Sequence, residues 1–201
     1  MRIGVFGGTF DPIHNGHLLV AEECRDRLRM DRVIFVPARL PPHKQTRSLT
    51  APHHRMSMVR IAITSNPGFE ASPIEFERPG PSYSVDTLRQ LRRNYPQGTE
   101  MSFIMGADSL NELASWHDPA GLLAICKLVV VNRPGAPAVE SSYLAGVYPG
   151  AGERLIAIEV PGLDIASSDL RERLRTGMTV RYQVPEQVID YIESNELYRS
   201  S

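Results

Sequence analysis

Two histidines three residues apart, His14 and His17, follow a pair of glycines in the stretch Gly7-Gly8-Thr9-Phe10-Asp11-Pro12-Ile13-His14-Asn15-Gly16-His17. The apolar run before them, Ile3-Gly4-Val5-Phe6, reads as a buried strand, and a helix is expected from Gly16. Small residues, imidazoles and a helix N-terminus are thus aimed at one point. Such a point suits a polyphosphate, because backbone N–H groups at a helix start face an anion and the helix dipole favours negative charge there. Gly7 and Gly8 carry no Cβ, so a nucleotide can approach the backbone closely. The stretch is not a Walker A loop, since no Gly-Lys-Ser/Thr follows, and not G-x-G-x-x-G, since its glycines fall at 4, 7 and 8.

Other residues add to this chemistry. Lys44, in Pro41-Pro42-His43-Lys44, is a flexible point charge suited to phosphate, or else a solvated lysine on a proline-stiffened loop. Asp108, in Gly106-Ala107-Asp108-Ser109, either accepts from ribose hydroxyls or caps the next helix. Trp116 lies between Ser115 and His117-Asp118, a poor setting for deep burial; core and ligand contact both stay open. His43, His53 and His54 are not spaced like a zinc site, and no metal bound by protein ligands is expected.

The elements that must position these residues alternate. Strands are expected at Arg2–Phe6, Arg32–Pro37, Phe69–Ile74, Met101–Met105, Lys127–Val131 and Arg154–Val160, with Cys126 opening the fifth. Helices are expected at Gly16–Arg29, His53–Ser65, Ser84–Asn94 (capped by Ser84), after Gly106, near Ser141–Val147, at Ser167–Thr176 and at Glu186–Asn195. A long Pro-rich loop, Ala38 to Pro52, joins the second strand to the second helix, and loops of that length are often functional. The alternation implies an α/β fold: a Rossmann-like doubly wound parallel sheet of five to six strands with closing C-terminal helices. Ligands then bind beyond the carboxyl ends of the strands, where the strand order reverses. One domain over 1–201 is expected, its C-terminal helical part at about 167–201.

With 201 residues and a formal net charge of -1, the chain has no basic face for a nucleic acid; Arg89, Arg92 and Arg93 read as a solvated helix face. No leader is expected, because strand 1 begins at once, and the longest apolar stretch, Leu122 to Val131, is broken by Lys127 and too short for a bilayer. Cys24 and Cys126 form no C-x-x-C pair and read as reduced thiols of a cytoplasmic protein.

The long form around His14-Asn15-Gly16-His17 resembles the H-x-G-H signature of the nucleotidyltransferase superfamily, in the version found in bacterial nicotinate-nucleotide adenylyltransferases. The resemblance runs from Gly7 to Tyr198. It takes in Pro41-Pro42-His43-Lys44, the segment Arg78 to Leu88, Trp116, Asn132-Arg133-Pro134-Gly135 and Ile165-Ala166-Ser167-Ser168-Asp169-Leu170-Arg171. Ser84 stands where that family usually has Thr, Ala166 where it has Ser, and Leu170 where it has Ile. The resemblance implies phosphate chemistry by His14, His17, Lys44 and Arg171. It implies an ATP site at Gly7, Gly8, Thr9, Phe10, Gly16, Gly106, Asp108, Arg133, Ser167 and Ser168, with Arg133 contacting nucleotide or only holding its turn. It implies a nicotinate mononucleotide site at Lys44, Ser82, Tyr83, Ser84, Thr87, Trp116 and His117, where N–H groups at a helix start hold the carboxylate and the indole stacks on the pyridine. Tyr182, Tyr191, Leu197 and Tyr198 read as packing.

The implied reaction joins ATP to nicotinate mononucleotide, giving deamido-NAD and pyrophosphate, with Mg2+ held mainly by phosphates. The expected partners are those small molecules, with no nucleic acid and no membrane; a homo-oligomer stays open. Rivals are a superfamily member acting on phosphopantetheine or on an alcohol phosphate with CTP, a non-catalytic nucleotide sensor, and a tRNA synthetase fragment. The first lacks the Ser-Tyr-x-x-Asp-Thr-Leu and Trp116 combination. The sensor need not keep His14, His17, Lys44 and Arg171 together, and the fragment calls for a basic face that is absent.

Overall fold

Alternating apolar residues in the central strands point to both faces of one sheet, and both faces are buried. In the computed structural model, which describes residues 1–41, 49–132, 148 and 151–199, the strands are β1 (Arg2–Gly8), β2 (Arg32–Pro37), β3 (Phe69–Ala71), β4 (Glu100–Gly106), β5 (Lys127–Asn132) and β6 (Leu155–Glu159). They form an all-parallel sheet in the order β3-β2-β1-β4-β5-β6. Among the described residues the helices are α1 (Asn15–Arg27), α2 (Pro52–Ile63), α3 (Ser84–Arg92), α4 (Ala107–Asn111), α5 (Pro119–Ile125), α6 (Ser167–Arg175) and α7 (Glu186–Ser194).

The period of two sorts the core. Phe6, Val33, Phe35, Ile104, Val129 and Val131 face one side, where Ala21 and Cys24 of α1, Met58 and Val59 of α2, Leu170 of α6 and Val188 and Ile192 of α7 cover them. Ile3, Val5, Ile34, Val36, Met101, Phe103, Met105, Leu128 and Val130 face the other, under Val85, Leu88 and Leu91 of α3, Leu110 of α4 and Leu122 and Leu123 of α5. Helices on both faces make the sheet doubly wound, as expected. The order turns around between β1 and β4: the chain builds outward from β1 through β2 and β3, then returns to β4 on its other side.

Several expectations need correction. Cys126 does not open the fifth strand, and a helix that was not expected, α5, precedes it. Asp118 caps α5 by accepting from the Gly121 N–H at 2.9 Å, Pro119 follows it, and Cys126 sits at the helix end, so β5 starts at Lys127. β3 stops at Ala71, and after Ser72 donates to the Phe35 carbonyl at 2.9 Å the chain reaches Pro73, which has no N–H to continue a ladder. The cap position of α3 is Tyr83, not Ser84, and its carbonyl takes the N–H groups of Asp86 and Thr87. The helix expected near Ser141–Val147 lies outside the described residues.

No helix among the described residues is long and apolar enough to cross a membrane. Cys24 and Cys126 are buried free thiols, pushed up to about 12 by burial, which leaves little thiolate for nucleophilic chemistry at neutral pH.

α6 is held against the sheet by Leu170, which is fully buried, and Gly177 with φ +73° ends it. Leu170→Ala is expected to destabilise the protein by about 2–5 kcal/mol, read as a lower urea midpoint at unchanged slope.

Candidate functional site

The carboxyl ends of β1 and β4 open into a cleft of about 600 Å³. Its walls come from the loop after β1 (Gly7, Gly8, Thr9), the start of α1 (His14, Gly16, His17), the end of β4 and the segment beyond it (Met105, Gly106, Ser109, Trp116), the turn into α3 (Ser82, Ser84) and the start of α6 (Ser167, Ser168, Arg171). Three helix N-termini, those of α1, α3 and α6, therefore meet one cavity, each bringing partial positive charge.

The two imidazoles are stacked, with centroids 3.6 Å apart and planes 27° from parallel. The His14 backbone N–H donates to His17 Nδ1 at 3.3 Å. That bond makes Nδ1 the acceptor, so the neutral His17 ring carries its hydrogen on Nε2. His14 is 6% exposed, its Nδ1 is buried without a partner, and burial brings its pKa down to about 4. His14 is therefore a neutral imidazole at neutral pH. Gly16 makes room for it: a Cβ there would come within 3.1 Å of His14 Nδ1.

The remaining expected site residues divide. Gly8 lines the cleft, but its bareness also serves packing, since a Cβ would meet the Phe10 ring at 2.8 Å. A Cβ on Gly106 would meet only open space. Phe10 is buried and sets an edge against His17 (centroids 5.1 Å) rather than lining the cleft. Ser167 Oγ donates to the Pro12 carbonyl at 3.0 Å and Arg171 Nη1 to the Asp11 carbonyl at 2.7 Å, so the start of α6 is tied to the loop before α1.

At the other end, Trp116 is half-buried, edge-on to Phe103 with centroids 5.9 Å apart, and its Nε1 is buried without a partner. Tyr83 and His117 stack on each other at 4.3 Å, and neither is among the lining residues. Thr87 is buried behind them: its hydroxyl donates to Glu75 Oε1 at 2.6 Å and accepts from Arg78 Nη2 at 3.2 Å. Asp108 is exposed on α4 and does not cap it; Gly106 holds that position, with no side-chain bond. Lys44 and Arg133 lie outside the described residues.

Three residues that shape the site went unassigned in the sequence. Arg55, fully buried on α2, donates to the carbonyls of Thr9 (2.8 Å), Ala38 (2.7 Å) and Thr50 (2.9 Å). Glu75 lines the cleft at 7% exposure, with Oε2 lacking a partner. Asp11 is 2% exposed and accepts from the Tyr198 hydroxyl. Only Asp11 had a signal, its place inside the Gly-Gly-Thr-Phe-Asp-Pro run.

Residues 5–173 match the family model described as Cytidylyltransferase-like. A protein of Roseiflexus sp. (strain RS-1) named Probable nicotinate-nucleotide adenylyltransferase is 49% identical over 198 residues, covering 98% of each chain. One of the same name from Thermomicrobium roseum is 46% identical over 199 residues, covering 99% of this chain and 92% of that one. This chain belongs to the nicotinate-nucleotide adenylyltransferase family. The fold of the family is seen in the Plasmodium falciparum nicotinic acid mononucleotide adenylyltransferase complexed with NaAD. It matches with a TM-score of 0.80 at 23% identity, over 98% of this chain and 97% of that one. The same protein complexed with APC gives a TM-score of 0.77 over 98% and 96%.

Among the described residues no group of three or more His, Cys, Asp or Glu could hold a metal ion, and the Asp11 carboxylate is turned to Tyr198 and Thr50. The polar groups on the cleft wall include imidazoles, serine hydroxyls and a guanidinium, which suit phosphate oxygens.

His14 binds its proton at about 4 when folded and near the ordinary 6.5 when unfolded. The unfolded chain therefore holds more protons between those values, and stability falls as pH drops through that window. The urea midpoint of the native protein is expected to fall more steeply from pH 6.5 to 4 than that of His14→Gln; parallel slopes would mean that His14 is not buried neutral.

Proposed function

We propose that the protein transfers the adenylyl group of ATP to nicotinate mononucleotide, forming deamido-NAD and releasing pyrophosphate. The observation that carries this is the stacked pair His14 and His17, opening α1 in a cleft that also holds the start of α6 with Arg171. A volume of about 600 Å³ suits nucleotide-sized ligands.

An oxygen of the mononucleotide phosphate attacks the α-phosphorus in line. The bond from that phosphorus to the bridging oxygen breaks, and pyrophosphate leaves with the electron pair. The nucleophile is already an anion, so no base has to remove a proton. Catalysis is then a matter of position and charge. His17 donates from Nε2–H and His14 as a neutral imidazole, both to phosphate oxygens as charge moves to the leaving group. Arg171 keeps Nη1 on the Asp11 carbonyl and turns other N–H groups of its fork to the phosphate tail, with Ser167 and Ser168 beside it. Lys44 neutralises the same tail. Mg2+, when bound, neutralises phosphate charge, and the chain holds the phosphates rather than the ion.

Gly7, Gly8, Thr9, Gly16 and Gly106 leave space for the adenosine phosphates, and Phe10 steadies His17 from behind. Asp108 and Arg133 belong to the nucleotide end. At the other end the N-terminus of α3, with Ser82 and Ser84, takes the nicotinate carboxylate, and Trp116 faces the pyridine. Tyr83, Thr87 and His117 act there through the frame they build, Thr87 by fixing the start of α3.

Pyrophosphate release from ATP with a panel of mononucleotides tests this directly. The nicotinate compound is expected to give a higher kcat/KM than the nicotinamide one, because a carboxamide loses charge-assisted bonds to the α3 N–H groups. No release with either would overturn the assignment. His17→Ala is expected to lower kcat by roughly 10²-fold or more, the scale of losing one stabilising donor. Trp116→Ala should raise KM for the mononucleotide more than KM for ATP; equal rises would make the indole a core residue only.

A further inference from the structure

The end of the chain reaches back to the loop that carries the histidines. Tyr198 is half-buried and its hydroxyl donates to Asp11 Oδ1 at 2.6 Å, across 187 positions of sequence. Burial first, and then the Asp11 charge, push the phenol well above its ordinary value, so it is a hydroxyl at neutral pH. The other carboxylate oxygen, Oδ2, accepts the Thr50 N–H at 3.3 Å.

The same short loop is gripped on its main chain. Arg171 Nη1 holds the Asp11 carbonyl and Ser167 Oγ the Pro12 carbonyl. A move of Asp11 therefore moves Arg171, and Ile13 alone separates Pro12 from His14. There is space for such a move. A cavity of about 90 Å³ lies alongside, lined by Thr9, Asp11, His17, Leu49, Ser167 and Arg171 among others. Four of its residues, Thr9, His17, Ser167 and Arg171, also line the main cleft. Packing alone needs only the Tyr198 ring, which lies against the α1/α2 face of the sheet. The hydroxyl adds something different: it fixes the direction of a buried carboxylate, whose loss of one donor is costly.

We propose that Tyr198 is a positioning residue: its hydroxyl pins the Asp11 carboxylate and, through the Asp11–Pro12 main chain, sets where Arg171 and the two histidines stand. This rests on the adenylyl-transfer reading for its kinetic consequence, and not for its structural one.

Tyr198→Phe removes one oxygen and keeps the ring. Paired with Asp11→Asn and the double variant, it is measured by kcat and KM for ATP and the mononucleotide, by thermal midpoint, and by amide hydrogen exchange of residues 13–18. Tyr198→Phe is expected to lower kcat roughly tenfold, about 1.4 kcal/mol, with smaller changes in KM. The double variant should be little slower than Asp11→Asn, because the two groups act as one. Exchange at residues 13–18 should speed up at least about threefold. An unchanged kcat with only a lower thermal midpoint would make Tyr198 a packing residue, as would fully additive losses. If the native protein releases no pyrophosphate, the functional reading fails, and exchange in Tyr198→Phe alone decides the clamp: no change at residues 13–18 overturns it.

Discussion

A buried guanidinium is the constraint on which the cleft hangs. Arg55 has no access to solvent, and taking such an ion out of water costs several kcal/mol unless its donors are met. They are met by main-chain carbonyls from the loop after β1 (Thr9), the loop after β2 (Ala38, and Arg39 at a longer 3.4 Å) and the approach to α2 (Thr50). Burial lowers its pKa while the nearby Asp11 charge opposes that shift, which keeps the cation in place. Loops are the parts of a parallel sheet least able to fix themselves, since their carbonyls have no ladder to join. Here one side chain supplies the missing donors, and two of the residues it holds, Thr9 and Ala38, are on the cleft wall.

The topology decides where those loops gather. Because β1 lies between β2 and β4, the chain leaves its carboxyl end in one direction and comes back on the opposite flank, so the loops after β1 and β4 part and leave a crevice. Residues at the starts of α1, α3 and α6 line that crevice, and their unsatisfied N–H groups make it attractive to anions before any side chain is counted. The side chains then differ in kind along its length: imidazoles and Arg171 at one end, an indole and small hydroxyls at the other.

Much of this was legible from sequence, for a physical reason. A strand buried on both faces is an apolar run, so β2 was placed with its observed ends and β5 within a residue, and the Gly-Gly turn into a helix marks the ligand edge of such a sheet. The errors fall where a local signal competes with that pattern. α5 went unplaced although Asp118 and Pro119 start it, because its short apolar run leads directly into that of β5. Arg55 and Glu75 carried no signal at all. A charged residue in an amphipathic helix or a loop normally faces water, and only the folded loops show that these two do not. Tyr198 read as packing because a ring near the chain end explains itself; its hydroxyl acquires a meaning only beside Asp11.

The protonation state of His14 follows from its depth. A cation as deep as His14 would have to be compensated by nearby negative charge whether or not phosphate is bound, and none of its own bonds supplies it; burial instead leaves the ring neutral. In the adenylyl transfer proposed above, a neutral donor would strengthen its bond as charge develops on the phosphate oxygens and would not hold the departing pyrophosphate as a fixed charge would. The guanidinium on the cleft wall, Arg171, is by contrast half-buried and carried on a side chain long enough to reach water. At the depth of His14 an imidazole fits better than a lysine for this reason: it keeps an N–H to give after burial has removed its charge, whereas a buried ammonium must either remain charged or become a weaker donor.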